Sequence, residues 1–160
     1  MKIGVISDTH LKGCDDSIRQ TADRYFADAE LILHAGDLVD IGVLDAFKGK
    51  EVIAVYGNMD SLHVKNVLPP KRVLEIKGFK VGLIHGWGPP FGLKEKLKKE
   101  FDRVDCLVFG HTHFPYNRQR GGILYFNPGS ASNRVLFPGK RTVGLLEIDE
   151  FISGKIIEIH

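Results

Sequence analysis

Cysteine is nearly absent from this chain of 160 residues: only Cys14 and Cys106 occur, far apart and outside any CxxC or zinc-finger spacing. A disulfide scaffold and a thiolate zinc site are thereby excluded, and nothing points to an oxidising compartment. Cys106 falls in an apolar stretch and reads as a small core residue, and Cys14, just beyond His10, as a packing or surface residue rather than a ligand. An excess of charge is missing too. The 22 Lys+Arg against 20 Asp+Glu leave +2, too little to specify stable nucleic-acid binding or a polybasic membrane patch. No apolar run approaches the roughly 18 residues of a spanning helix, and the opening residues 1–6 are too short for a signal-peptide core. A soluble, cytoplasmic protein with no membrane partner is expected. Repeats, low-complexity tracts and linkers are also lacking, so residues 1–160 are expected to form one domain with a core large enough to fold without cross-links.

What is present is a rhythm of short apolar runs. Residues 2–7, 31–35 and 52–56 read as buried strands, alternating with an amphipathic helix over 15–29 and a second helix over about 41–48. Two-faced apolar strands alternating with helices predict a partly parallel sheet. From Lys71 the pattern changes to a hairpin (71–77 with 79–84), a Lys-rich helix over 91–101, and strands at 106–109, near 123–126, 142–148 and 155–159. Gly121-Gly122, Asn127-Pro128-Gly129 and Pro138-Gly139 punctuate them. A βα half followed by a β-rich half predicts two packed sheets with helices outside.

Five of these runs end in a polar step: Asp8-Thr9-His10, Gly36-Asp37, Gly57-Asn58-Met59-Asp60, His85-Gly86 and Gly110-His111-Thr112-His113. Ligands delivered from several strand tips into one crevice are how open α/β folds build active sites. The set Asp8, His10, Asp37, Asn58, His85, His111 and His113 offers only oxygen and imidazole donors, a shell suited to two divalent cations. Asp37, after a glycine that lets the backbone turn closely, suits the bridge between them. Asp8, His10 and one histidine of the 110–113 turn complete one site, and Asn58, His85 and the other histidine the second. Asp37, Asn58 and His85 are also read as the catalytic residues. Two carboxylates against two dications leave positive charge even after a hydroxide binds. Such a centre lowers the pKa of bridging water from about 15.7 towards neutrality and clamps a phosphoryl group for in-line attack.

In order and type, these five steps resemble the motifs of the calcineurin-like metallophosphoesterases: D-x-H, GD, GN-x-D/E, an HG step and GH-x-H. The likeness covers nearly the whole chain. Its size and the Asn127-Pro128-Gly129-Ser130 stretch are most similar to the small single-domain phosphodiesterase branch. The resemblance implies a four-layer α-β-β-α sandwich of two mixed sheets flanked by helices. It also implies that His113 joins Asp8 and His10 at the first metal, and His111 joins Asn58 and His85 at the second. The chain departs from many members at Met59, where a histidine follows the asparagine and can protonate the leaving group; methionine has no proton to give. Substrates whose leaving groups depart readily as anions, aryl phosphodiesters above alkyl monoesters, are therefore expected. His63 and Asp60 are nearby substitutes, but neither position matches a known proton donor.

The resulting expectation is a metal-dependent phosphoesterase, most of all a phosphodiesterase, acting on a small phosphoester, with nucleotide-like esters among the candidates. Manganese is the first choice of metal, with Ni, Fe, Zn or Co also admitted by mixed O/N ligation. The alternative is a scaffold or a nucleotide or metal sensor of the same fold, as in the scaffold subunit of the retromer coat; self-association stays open. Of the remaining residues, His34 reads as a hydrogen-bonded packing residue able to orient Asp37, and His63 and His160 as solvent-facing. For the 127–130 stretch, a simple turn and a pocket wall stand as equal readings. Trp87, Phe91, Phe114 and Tyr116 flank the ligand loops and could stack a ring or pack the loops, and Arg118 and Arg134 are weak phosphate contacts.

Overall fold

The computed structural model describes residues 1–132 and 140–160; Arg134 and the Pro138-Gly139 turn lie outside the described residues. The elements run in the order β1 (Lys2–Ile6), α1 (Asp16–Tyr25), β2 (Leu31–His34), a 3-10 helix (Ile41–Phe47), β3 (Glu51–Ala54), α2 (Leu62–Val67), β4 (Lys71–Ile76) and β5 (Phe79–Ile84). After them come α3 (Leu93–Lys98), β6 (Cys106–Val108), β7 (Tyr116–Arg120), β8 (Ile123–Asn127), β9 (Thr142–Ile148) and β10 (Ile152–Glu158).

Two five-stranded mixed sheets result, ordered β10-β9-β1-β2-β3 and β4-β5-β6-β8-β7. In the first, β1 pairs parallel with β2 (Ile3 opposite Leu31) and antiparallel with β9 (Ile3 opposite Leu146). In the second, β5, β6 and β8 run parallel, with antiparallel β4 and β7 at the edges. The chain order does not divide along the sheets, because β9 and β10 return from the C-terminal half to the first one.

Alternation along the strands builds three layers of packing. Ile3, Val5, Leu31 and Leu33 face Val81, Leu83, Val108 and Phe126 between the sheets. Ile6 and Ile32 point the other way, onto Ile18 and Ala22 of α1, Phe26 just after it and Phe47 of the 3-10 helix. On the far side, Ile84, Leu107 and Phe109 pack beneath Leu93 and Leu97 of α3 and Phe101 just beyond it. Strands buried on both faces are therefore apolar at consecutive positions. Among the described residues no helix is long and apolar enough to cross a membrane.

Several elements differ from the sequence expectation. Helix α1 starts on its Asp15 cap, whose carboxylate accepts from Ile18 N at 2.9 Å, but ends at Tyr25, four residues early; Phe26 and Ala29 are carried into the core by the following turn. Residues 41–47 form a 3-10 rather than an α-helix, short and with Gly42 in the first turn. Helix α3 is limited to Leu93–Lys98, and the last strand is Ile152–Glu158. Strand β7 and helix α2 were not expected. Tyr116–Arg120 is an edge strand whose residues are almost all exposed, so it lacks an apolar run, and α2 is only six residues long.

Candidate metal centre

The parallel strands aim their C-terminal ends at one place. Asp8 and His10 follow β1, Asp37 follows β2, Asn58 follows β3, His85 directly follows β5, and His111 and His113 follow β6. The first sheet thus supplies four of these side chains and the second supplies three. Asp8, His10, Asp37, His111 and His113 all have left-handed backbones, with φ between 49° and 69°. Non-glycine residues rarely adopt this conformation, and it clusters at functional sites where surrounding contacts enforce it. Gly36 shows why the preceding residue is small. Its φ is 94°, and a Cβ there would lie 2.8 Å from the His85 ring.

Two overlapping donor sets form, Asp8–His10–His113 and Asp8–Asp37–His85, each with one ligand atom per residue within 4.8 Å of the others. His113 Nε2 lies 3.0 Å from Asp8 Oδ1 and 3.3 Å from His10 Nε2. Asp37 Oδ2 lies between the two histidine groups, 3.3 Å from His85 Nε2 and 3.9 Å from His10 Nε2. The His10 and His113 imidazoles are within hydrogen-bond distance, the carboxylate–imidazole contacts are ion-pair distances, and buried Asp8 Oδ1 and His85 Nε2 are left without a hydrogen-bond partner. Orphaned lone pairs of this kind, on buried groups, are what a cation would satisfy.

The tautomers agree. His85 Nδ1 is 2.7 Å from the Ala35 carbonyl, so Nδ1–H donates there and the Nε2 lone pair faces the carboxylates. His111 Nε2 is 2.8 Å from the Gly88 carbonyl, which leaves its Nδ1 lone pair 3.0 Å from Asn58 Oδ1. Two acceptors facing each other at this range call for a cation or a proton between them. Asn58 and His111 thus form a donor pair beside His85, whose ring centroid is 5.4 Å from that of His111.

The electrostatics are strongly coupled. Burial would lower the His85 pKa, but contact with Asp37 and the charge of Asp8 outweigh it, and the net shift is upward. Burial acts on Asp37 in the opposite sense and is likewise outweighed, by His85 and the Met59 N–H, so its carboxyl is held below the usual range. The Asp8 carboxylate raises His113. His10 is lowered, with burial as the largest cause.

A second group of buried side chains fixes the loops. Asp60 Oδ2 accepts from Asp37 N at 3.0 Å and from Gly57 N at 2.7 Å, while Oδ1 accepts from Val39 N at 2.5 Å, tying the Asp37 loop to the Asn58 loop. The Met59 N–H returns a bond to Asp37 Oδ1 at 2.8 Å. His34 Nδ1 accepts from Gly36 N at 3.2 Å, so its Nε2–H donates to Thr9 Oγ1, also at 3.2 Å; burial pushes its pKa down to about 3. The packing role expected of His34 therefore includes joining the loops of Asp8 and Asp37. Asn127 donates to Gly110 O at 2.8 Å and to Thr112 Oγ1 at 3.1 Å, and Ser130 Oγ donates to Asp8 O at 3.0 Å. The 127–130 stretch is therefore more than a turn, since it braces two loops that carry candidate ligands. Ser7 Oγ donates to Asp8 Oδ2. Sequence reasoning passed over Asp60 and Ser7 as positioning residues, although the GN-x-D spacing carried a signal for Asp60.

The other sequence candidates fall away from the cluster or at its rim. His63 and His160 are exposed, Arg118 lies exposed on β7, and Cys14 packs against the α1 core. Burial raises the Cys106 thiol to about 12, which makes it inert. Phe91 and Phe114 are exposed, Tyr116 lies under the Lys94 ammonium at 4.6 Å, and Trp87 lines a cavity next to His85.

Comparisons with known proteins show the family of this fold. Residues 1–150 match the family model of the calcineurin-like phosphoesterase superfamily domain. A probable metallophosphoesterase of Methanocaldococcus jannaschii is 39% identical over 165 residues, covering 100% of this chain and 82% of the relative. Among solved structures, an archaeal phosphodiesterase superposes with a TM-score of 0.80 at 25% identity, covering 99% of this chain and 100% of that one. Zinc-bound Vps29 of Entamoeba histolytica superposes with a TM-score of 0.74 at 27% identity, covering 99% of each. With the family model spanning nearly its full length, the chain belongs to the calcineurin-like phosphoesterase superfamily.

Proposed function

We propose that this chain is a metal-dependent phosphodiesterase, a single domain over residues 1–160 that holds two divalent cations among Asp8, His10, Asp37, Asn58, His85, His111 and His113. The observation that carries the reading is the pair of buried ligand atoms without a hydrogen-bond partner, Asp8 Oδ1 and His85 Nε2, where two acid–imidazole sets overlap. Asp8, His10 and His113 would hold the first ion and Asn58, His85 and His111 the second. Asp37 would be shared, supported by the position of its Oδ2 between His10 and His85. When bound, the ions would supply Lewis acidity and a water acidified for in-line attack at phosphorus.

The protein's own groups orient this chemistry. Ala35 O and Gly88 O fix the imidazole tautomers, and Met59 N and Asp60 hold Asp37 and its loop. No side chain is assigned as general acid. Met59 has no proton to donate, and both Asp60 oxygens are engaged by backbone N–H groups. A bis(aryl) phosphodiester should accordingly be cleaved with a higher kcat/KM than an alkyl phosphomonoester, and parity between them in a steady-state assay would refute this. Manganese is the metal of first choice, the substrate a small phosphoester and the setting the cytoplasm; the zinc of the Vps29 relative supports occupation of this fold by a divalent ion.

The likeness to Vps29 also supports a second reading, in which the chain is a catalytically weak scaffold or a metal or nucleotide sensor. One experiment separates the two. Metal-stripped protein is supplied with Mn, Ni, Zn or Mg in turn and assayed on aryl phosphodiester and monoester, beside Asp37→Asn. Turnover restored by metal and lost in Asp37→Asn supports the hydrolase. No turnover with any metal, in protein shown to be folded, favours the scaffold or sensor.

A further inference from the structure

A cavity of about 270 Å³ opens beside the candidate centre, and Asn58 and His85 form part of its wall. The volume falls just below the roughly 300 Å³ at which pockets for whole drug-sized ligands begin, so it is sized for one arm of a substrate. Its remaining wall is largely apolar, made by Tyr56, Pro70, Ile84 and Trp87.

Charge narrows the occupant. Two lysines border the cavity, yet Lys71 is paired with Glu100 at 3.0 Å, so that pair adds no net charge and presents a carboxylate to any second phosphate. Lys65 directs its ammonium to the Asn58 carbonyl at 3.2 Å, next to the site. An anionic group is therefore favoured at the Asn58 end and an uncharged one deeper in. The Lys96 ammonium sits 4.4 Å from the Trp87 ring centroid and also donates to Trp87 O at 3.3 Å, holding the indole in place. Among the described residues no aromatic ring stacks on Trp87, which is 39% exposed. A large indole, held by Lys96 and left partly open beside the candidate centre, is a stacking platform.

We infer that the cavity between Trp87 and Asn58 is a subsite for a planar aromatic ring, a nucleobase or an aryl group, carried on one ester arm of the phosphodiester. This deepens the phosphodiesterase reading and rests on it for where the phosphate lies.

Trp87 is the one tryptophan of the chain, so its fluorescence reports the cavity directly and without turnover. Manganese-loaded protein is titrated with AMP, phenyl phosphate and ribose 5-phosphate. AMP or phenyl phosphate should quench the emission and bind about tenfold tighter than ribose 5-phosphate, the scale of one base–aromatic stack. The stronger of the two identifies a nucleoside or a simple aryl arm. Calorimetry on Trp87→Ala should show a loss of about tenfold in affinity for that ligand, with Trp87→Phe retaining most of it. Equal affinity for all three ligands, or an unchanged emission at millimolar ligand, overturns the inference. If no ester is hydrolysed but ring-selective binding persists, the hydrolase reading fails and the subsite stands. Metal-restored turnover without ring selectivity removes the subsite alone.

Discussion

Replacing Asp60 tests how the centre is held together. Its carboxylate, 5% exposed, accepts from the backbone N–H groups of Asp37, Gly57 and Val39 at 3.0, 2.7 and 2.5 Å. In Asp60→Ala those donors lose their acceptor beneath two ligand loops. An unsatisfied buried donor costs about 1–3 kcal/mol, more where the lost acceptor was charged. Water entering the space left behind recovers part of this, and a net loss of about 4 kcal/mol is expected. In Asp60→Asn the shape is kept but one acceptor oxygen becomes an NH2 that faces an N–H, and about 2 kcal/mol is expected. The measurement is urea denaturation in the presence of chelator, so that metal linkage does not mask the effect. For a chain of this size, the alanine variant should also melt roughly 8–16 °C lower. Because Asp37 loses its support, manganese affinity should fall as well. A change in metal-free stability below about 1 kcal/mol for Asp60→Ala would refute the reasoning.

Three further outcomes are expected. The pKa of His34 is about 3 in the folded chain against an ordinary 6.5, so between these values the unfolded state binds more protons. Its stabilisation is then fully present above pH 6.5 and is lost as pH falls towards 3, on the order of 5 kcal/mol in total; denaturation curves that stay parallel for wild type and His34→Gln across this range would contradict it. In Gly57→Ala the new Cβ would collide with Asp37 Oδ1 and lie 2.6 Å from His85 Cδ2. Metal affinity measured by chelator competition should drop at least about tenfold, with about 1–3 kcal/mol of destabilisation, whereas unaltered affinity would show the site to be more pliant. Finally, the upward shifts of His85 and His113 mean that metal must displace protons. Calorimetric titrations in buffers of different ionisation enthalpy should reveal proton release that grows as pH is lowered, and buffer-independent heats would argue against it.

The loops carrying the candidate ligands were legible because each follows a short, largely apolar strand, and a strand tip that must turn sharply while carrying Asp, Asn or His leaves a short, distinctive trace. Two packed sheets with outer helices could be read from the same alternation. The pairing order could not, since nothing local in 142–148 shows that it lies beside β1 rather than beside β8. Tyr116–Arg120 escaped notice because an edge strand with little burial needs no apolar face. The bracing residues were harder to see. Asp60 and Asn127 act through backbone groups distant in sequence, and His34 reaches the hydroxyl of distant Thr9, and side-chain composition says little about where a carboxylate finds its N–H donors.

The division of the candidate ligands between two sheets has a mechanical consequence. Asp8, His10, Asp37 and Asn58 ride on one sheet, while His85, His111 and His113 ride on the other. The interval between the two donor groups is therefore set by the thickness of the side-chain layer sandwiched beneath them. Trimming a residue in that layer, far from any ligand, would let the sheets settle towards each other and change the gauge of the site. Ions seated across the seam would act as a strut that resists the same movement.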